Sequence, residues 1–161
     1  LNLLYLYFAT NMEAMFSNCG YRAMTTLSLG DKFDTNKVTN MTNMFNNCGN
    51  IKMTKLDLGN NFDTSNVTNM SGMFNSCGYT SIISLDLGDK FSTRNALDMT
   101  NMFNNCGHMS MKTLDLGPLF TQIAYKHEGF AQNCGSSEIV IYAPETIYLD
   151  QSSFKINKIS R

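Results

Sequence analysis

Met41-Thr42-Asn43-Met44-Phe45-Asn46-Asn47-Cys48-Gly49 returns letter for letter as Met99 to Gly107. Close variants occupy Met12 to Gly20 and Met70 to Gly78, and a degraded copy ends at Cys134-Gly135. The cysteines fall at 19, 48, 77, 106 and 134, so the spacings are 29, 29, 29 and 28 residues. A fixed period of this size is the signature of stacked repeats. One such unit cannot bury its own apolar face, so the copies must lie against one another and like residues must form columns.

The text between the copies is as regular. Leu27-Ser28-Leu29-Gly30, Leu56-Asp57-Leu58-Gly59, Leu85-Asp86-Leu87-Gly88 and Leu114-Asp115-Leu116-Gly117 read as short strands with leucines inward and the middle residue outward. Phe33, Phe62, Phe91 and Phe120 follow at a constant interval and plug the core from the loop. A polar stretch such as Asp63-Thr64-Ser65-Asn66 then supplies residue types that cap helices. Val67, Met70, Met73 and Phe74 recur at spacings that put all four on one face of a short helix or a pair of 3₁₀ turns. The Asn-Cys-Gly segment closes that turn, with Gly49, Gly78 and Gly107 as left-handed exits.

The expected fold is therefore an α/β repeat solenoid of leucine-rich-repeat-like coils of 29 residues, each a short parallel strand plus a short helix or 3₁₀ turn. Residues 1–135 form the solenoid: a partial first coil, three regular coils and one degenerate coil. Leu1-Asn2-Leu3 reads as a shortened strand, and Leu4 to Phe8 as an alternative strand covered by further chain upstream. The chain begins without Met and reads as a piece of a longer protein. After Leu116 the pattern decays: Thr121 to Glu128 loses the register, and Phe130 sits one place early relative to Cys134. Residues 136–161 read as a C-terminal cap, with a hairpin of Ile139–Tyr142 and Ile147–Leu149 turning at Pro144.

Composition bounds the chemistry. Of the 161 residues 43% are hydrophobic, enough for a sizeable core, and only 16% are charged, with 20 asparagines filling the gap. A net charge of −1 argues against a phosphate-tracking surface and against attraction to anionic membranes. No run approaches the roughly 20 apolar residues that cross a bilayer. Cys19, Cys48, Cys77, Cys106 and Cys134, with Phe16, Phe45, Phe74 and Phe103, are expected to form structural ladders. Rungs about 4.8 Å apart lie within reach of a disulfide, but buried free thiols are the preferred reading. No metal site is expected, since His108 and His127 are not spaced from the cysteines as zinc ligands are.

The string Phe62 to Cys77, Phe-Asp-Thr-Ser-Asn-Val-Thr-Asn-Met-Ser-Gly-Met-Phe-Asn-Ser-Cys, closely resembles the repeat of BspA-like leucine-rich surface proteins. That family joins a Leu-x-Leu strand to a Thr-x-x-Met segment and an aromatic before x-x-Cys, and the likeness covers roughly residues 12–117. The resemblance implies a secreted or cell-surface solenoid that adheres to host, matrix or neighbouring-cell macromolecules. It brings no catalytic residues. This repeat is longer than the family's common lengths, and the post-strand loop Gly-Asp-Lys-Phe-Asp accommodates part of the excess.

Candidate contacts lie on the strand side: Ser28, Lys55, Asp57, Ser84, Asp86, Thr113 and Asp115. Asp57, Asp86 and Asp115 would stack about 5 Å apart and repel unless neutralised by a basic partner, a divalent cation or nearby backbone amides and lysines. The Met columns at 41, 70 and 99 and at 44, 73 and 102 read as core, and the Asn columns as turn-satisfying amide ladders. Asn40-Met41-Thr42, Asn66-Val67-Thr68 and Asn69-Met70-Ser71 match the glycosylation pattern, which the repeat generates automatically. No catalytic constellation appears: His108 adjoins Cys106 in one copy only, and His127 stands alone. The expected function is an extracellular binding module for a protein or glycan, acting through the strand-lined face. The alternative is a structural spacer or self-associating stalk. Tyr21 and Tyr79 are the repeated aromatics a carbohydrate could stack on. No cofactor, nucleic acid or membrane insertion is expected.

Overall fold

The computed structural model describes residues 8–147 and the backbone of residues 157–160. The expected strands at Leu1–Leu3 and Leu4–Phe8 lie outside the described residues, save Phe8. Each Leu-x-Leu segment extends into a three-residue strand: β1 (Thr26–Ser28), β2 (Lys55–Asp57), β3 (Ser84–Asp86) and β4 (Thr113–Asp115). Beyond them lie β5 (Val140–Ala143) and β6 (Asn157–Ser160). Among the described residues all pairings are parallel, with Leu27 opposite Leu56, Leu85 opposite Leu114 and Leu114 opposite Ile141. β1 and β2 form one sheet, and β3-β4-β5-β6 another. Leu56, Leu58, Leu85, Leu87, Leu114 and Leu116 are buried, as the alternation requires. The architecture is thus small parallel sheets with almost no helix, an arrangement compatible with a repeat fold.

The expected short helix or pair of 3₁₀ turns is corrected. Residues 41–49 form a run of turns, and their N–H groups are divided between two uses. Met41, Asn43, Phe45 and Asn47 donate to the carbonyls of Asn69, Ser71, Met73 and Asn75 in the next unit, at 2.8–2.9 Å. Met44, Asn46 and Cys48 donate back to Met41, Asn43 and Phe45 at 3.0–3.2 Å. An α-helix would leave only its first-turn N–H groups without an internal partner and could not offer alternate N–H groups to the next unit along the whole run. Asn43 and Asn47 make the alternative possible by adopting φ of 55°, a left-handed conformation that asparagine tolerates better than most residues. Ser76, Asn101, Asn105 and Asn133 share it. Asp63 likewise caps a turn, its Oδ1 accepting the Ser65 N–H at 2.8 Å.

Between strand side and turn side the like residues form columns. Phe16, Phe45, Phe74 and Phe103 stack at 5.3–5.4 Å with planes within 9°. Phe62, Phe91 and Phe120 stack beside them at 6.3–6.4 Å. The six methionines of the two columns are fully buried. The thiols are aligned too: the residue after each of Cys48, Cys77, Cys106 and Cys134 donates to the carbonyl of the preceding cysteine, at 2.8–3.0 Å. All five are free thiols, and the last four are buried.

The last turn run keeps this packing with an offset of 28 residues, so Asn105 and Asn133 are equivalent left-handed positions. On that offset Phe130 falls on the methionine column and Ala131 on the phenylalanine column. Phe130 therefore meets Phe103 edge-on, at 5.6 Å and 84°, and ends the stack. The expected C-terminal hairpin is also corrected. β5 pairs parallel with β4 on one edge and with β6 on the other, which leaves no edge for an antiparallel partner. Most of the expected partner strand, residues 148 and 149, lies outside the described residues.

Candidate partner-binding face

Alternation along β1 to β4 turns one set of side chains outward together. Ser28, Lys55, Ser84 and Asp86 are exposed, and Asp57, Thr113 and Asp115 are half-buried. Each strand aspartate first serves its own turn: Asp57, Asp86 and Asp115 accept the N–H of Gly59, Gly88 and Gly117 at 2.9–3.0 Å. The Gly59 N–H, with the Lys55 ammonium 3.4 Å away, holds the Asp57 carboxyl below its ordinary range against partial desolvation. The expected column of three carboxylates is interrupted. Asp86 lies opposite Asp115, but the register neighbour of Asp57 is Ser28. Among the described residues no group of three or more His, Cys, Asp or Glu is arranged to hold a metal ion.

That interruption is a seam in the sheet. Leu29, Leu87 and Leu116 donate to the carbonyls of Asp57, Asp115 and Tyr142 across the adjoining strands, and the equivalent bond from Leu58 to Asp86 is absent. A Cβ built on Gly59 would lie 2.6 Å from Gly30 O, and one on Gly117 2.3 Å from Gly88 O. One built on Gly88 would meet no atom within 4 Å, so the unit ending at Gly59 stands off from the next. Two adjoining cavities of about 330 Å³ each open there, lined by Lys55, Asp57, Asn60, Ser84, Asp86 and Lys90 among others. The letters on either side of the seam are nearly identical, and nothing in the sequence marks it. The turn side is unbroken at the same level, with Phe45 and Phe74 stacked at 5.3 Å.

Two further polar columns run through the units: the asparagine column is the expected turn-satisfying amide ladder, and the threonine column is one that sequence reasoning missed. Thr35, Thr64 and Thr93 are buried among the apolar columns, and Thr64 both donates to Ser92 O at 2.8 Å and accepts the Ser92 N–H at 2.7 Å. Asn11, Asn40, Asn69 and Asp98 bridge one another in order, and each accepts the N–H two residues on, at 2.9–3.0 Å. The recurring Asn/Asp-Met-Thr/Ser at residues 40, 69 and 98 is the Asx-turn signal of the asparagine column. Of the candidate glycosylation residues, Asn40 and Asn69 hold these turns through Oδ1, and Asn66 Nδ2 donates to Asn36 O at 2.7 Å.

The remaining candidate groups are the thiols and the two histidines. Burial pushes the Cys48 and Cys106 thiols up to about 12 and those of Cys77 and Cys134 well above the ordinary range. His108 packs against Tyr79 at 5.2 Å and its Nδ1 lies 3.1 Å from Asn133 O. His127 Nδ1 lies against the carbonyls of Ala124 and Tyr125. No described helix is long and apolar enough to cross a membrane. Residues 10–132 match the family model described as "Mycoplasma protein of unknown function, DUF285". No curated protein and no solved structure matches the chain.

Proposed function

Taking as premise that the chain belongs to this DUF285 family, we propose that it is a leucine-rich-repeat-like solenoid presented outside the cell, where it binds an extracellular protein or glycan through its strand side. The observation that carries the reading is the shared outward face of β1 to β4, where Ser28, Lys55, Asp57, Ser84, Asp86, Thr113 and Asp115 present hydroxyls and charges of both signs. Repetition at the spacing of parallel strands gives a partner several weak contacts at once, and linked contacts multiply. The proposal gives the protein no catalytic role and no cofactor; the BspA-like resemblance of Phe62 to Cys77 supports the same reading.

A second reading, a self-associating spacer, draws on the first unit. Phe16, Met24, Leu27 and Leu29 are only partly buried there, whereas the equivalent Phe45, Met53, Leu56 and Leu58 are buried. Another unit of the same kind, in this chain or in a second copy, would fit that face. Immobilised chain titrated with matrix proteins, mucins and glycans separates the two. Saturable binding that falls when Lys55→Gln, Asp57→Asn, Asp86→Asn and Asp115→Asn are combined supports the first. No binding, with end-to-end oligomers by light scattering, replaces it with the second.

A further inference from the structure

The parallel ladder fixes which backbone groups face the seam. Asp57 O accepts from Leu29, so the main chain of Asp57 faces β1, and that of Leu56 and Leu58 faces β3. Leu87 donates to Asp115 O, so Leu87 and Leu85 face β4, and Ser84 and Asp86 face β2. No ladder bond joins β2 to β3. Leu56 and Leu58 are 5% and 4% exposed, and main-chain groups at such depth are normally paired. Two open strand edges thus face each other across a cavity, and each presents donors and acceptors at the two-residue interval of an extended chain.

We propose that this seam is a binding site for an extended peptide, whose main chain pairs with β2 on one side and β3 on the other. The inference rests on the reading that the strand side is the binding surface, and it names the partner's class and the place of contact. The peptide suited to the slot alternates apolar and polar residues, because Leu-x-Leu is what both edges pair with on their far sides. Lys55 and Asp57 on one lip and Asp86 on the other would read its outward side chains. Seating it needs β2 and β3 to part until each lies about 4.8 Å from the guest. The turn side is the pivot for that motion: its bonds from Met41, Asn43, Phe45 and Asn47 to the next unit remain intact, while those beside the seam, from Thr64 N to Lys90 O and from Lys90 Nζ to Asn61 Oδ1, open. Main-chain pairing of this kind supplies affinity, and alternate side chains supply selectivity.

The test is amide hydrogen exchange on the full chain, with and without the blocked peptide Thr-Leu-Asp-Leu-Gly, the sequence of residues 113–117. Amides of Leu56, Leu58, Ser84 and Asp86 are expected to exchange faster than those of Leu85 and Asp115. Saturating peptide is expected to slow them about tenfold, and the same peptide N-methylated at both leucines to leave them unchanged. Full protection without peptide would mean a closed sheet. Unchanged exchange at ~1 mM peptide would mean a seam that holds only water, and either result overturns the proposal. If a matrix protein binds the chain and the peptide neither competes nor protects, the seam site fails while the surface reading stands. Peptide protection with no macromolecular binding gives the reverse.

Discussion

Gly72 is the residue whose replacement tests the columnar packing most directly. It adopts φ of +61°, and a Cβ there would fall 2.1 Å from Asn43 Oδ1 in the preceding unit. That oxygen is not free to swing aside, because it accepts Asn46 Nδ2 at 3.1 Å. The column alternates in step: Asn43 lies over Gly72, and Asn101 over Gly129, where the same Cβ would fall 2.2 Å from Asn101 Oδ1. Gly72→Ala therefore carries two penalties. A left-handed alanine costs about 1–2 kcal/mol. Displacing the Asn43 amide loses a hydrogen bond worth about 1 kcal/mol. The sum is a destabilisation of about 2–3 kcal/mol, read as a lower urea midpoint at unchanged slope. In an Asn43→Gly background the amide is gone and only the backbone penalty remains, so a double-mutant cycle is expected to show coupling of about 1 kcal/mol. A Gly72→Ala chain within about 0.5 kcal/mol of wild type, or one equally destabilised in both backgrounds, would refute the reasoning.

Other consequences follow from the polar columns and the thiols. Thr64→Val keeps the shape but leaves the buried Ser92 N–H and O without their partner, and is expected to cost about 1–3 kcal/mol in the same urea assay; an unchanged midpoint would deny the threonine column its role. Burial pushes the Asp98 carboxyl up, but the Lys126 ammonium at 2.5 Å and the Thr100 N–H and hydroxyl outweigh it and hold the group below its usual 3.8. Because the native value is depressed, the associated stability is present above the unfolded value and is lost as pH falls through the native one. The melting temperature of wild type relative to Asp98→Asn is thus expected to be level from about pH 5 to 9 and to shrink below about pH 4; a difference that grows on acidification contradicts the ion pair. Under native conditions iodoacetamide is expected to alkylate Cys19 alone, since it is the half-buried rung and the other four thiols are buried with raised values. Peptide mass spectrometry showing Cys77 modified as fast as Cys19 would place the column elsewhere.

The sequence by itself determined the period, the parallel Leu-x-Leu strands and the membership of the core. These follow from letters recurring at a fixed interval, because like residues of stacked units have no neighbours but one another. It also singled out the outward row from Ser28 to Asp115, since alternation along a strand is a local property. What it misread was the turn run. The spacing of Val67, Met70, Met73 and Phe74 is compatible with a helix, and only the pairing of Gly72 and Ser76 with the next unit decides against one. That choice is made between units, where alternate N–H groups gain partners that a helix would deny them. The seam between β2 and β3 is tertiary for the same reason: Leu56-Asp57-Leu58-Gly59 and Leu85-Asp86-Leu87-Gly88 are the same letters, yet each pairs on one side only. Whether two identical edges close or stand apart depends on how the units between them are spaced, and no single unit contains that distance.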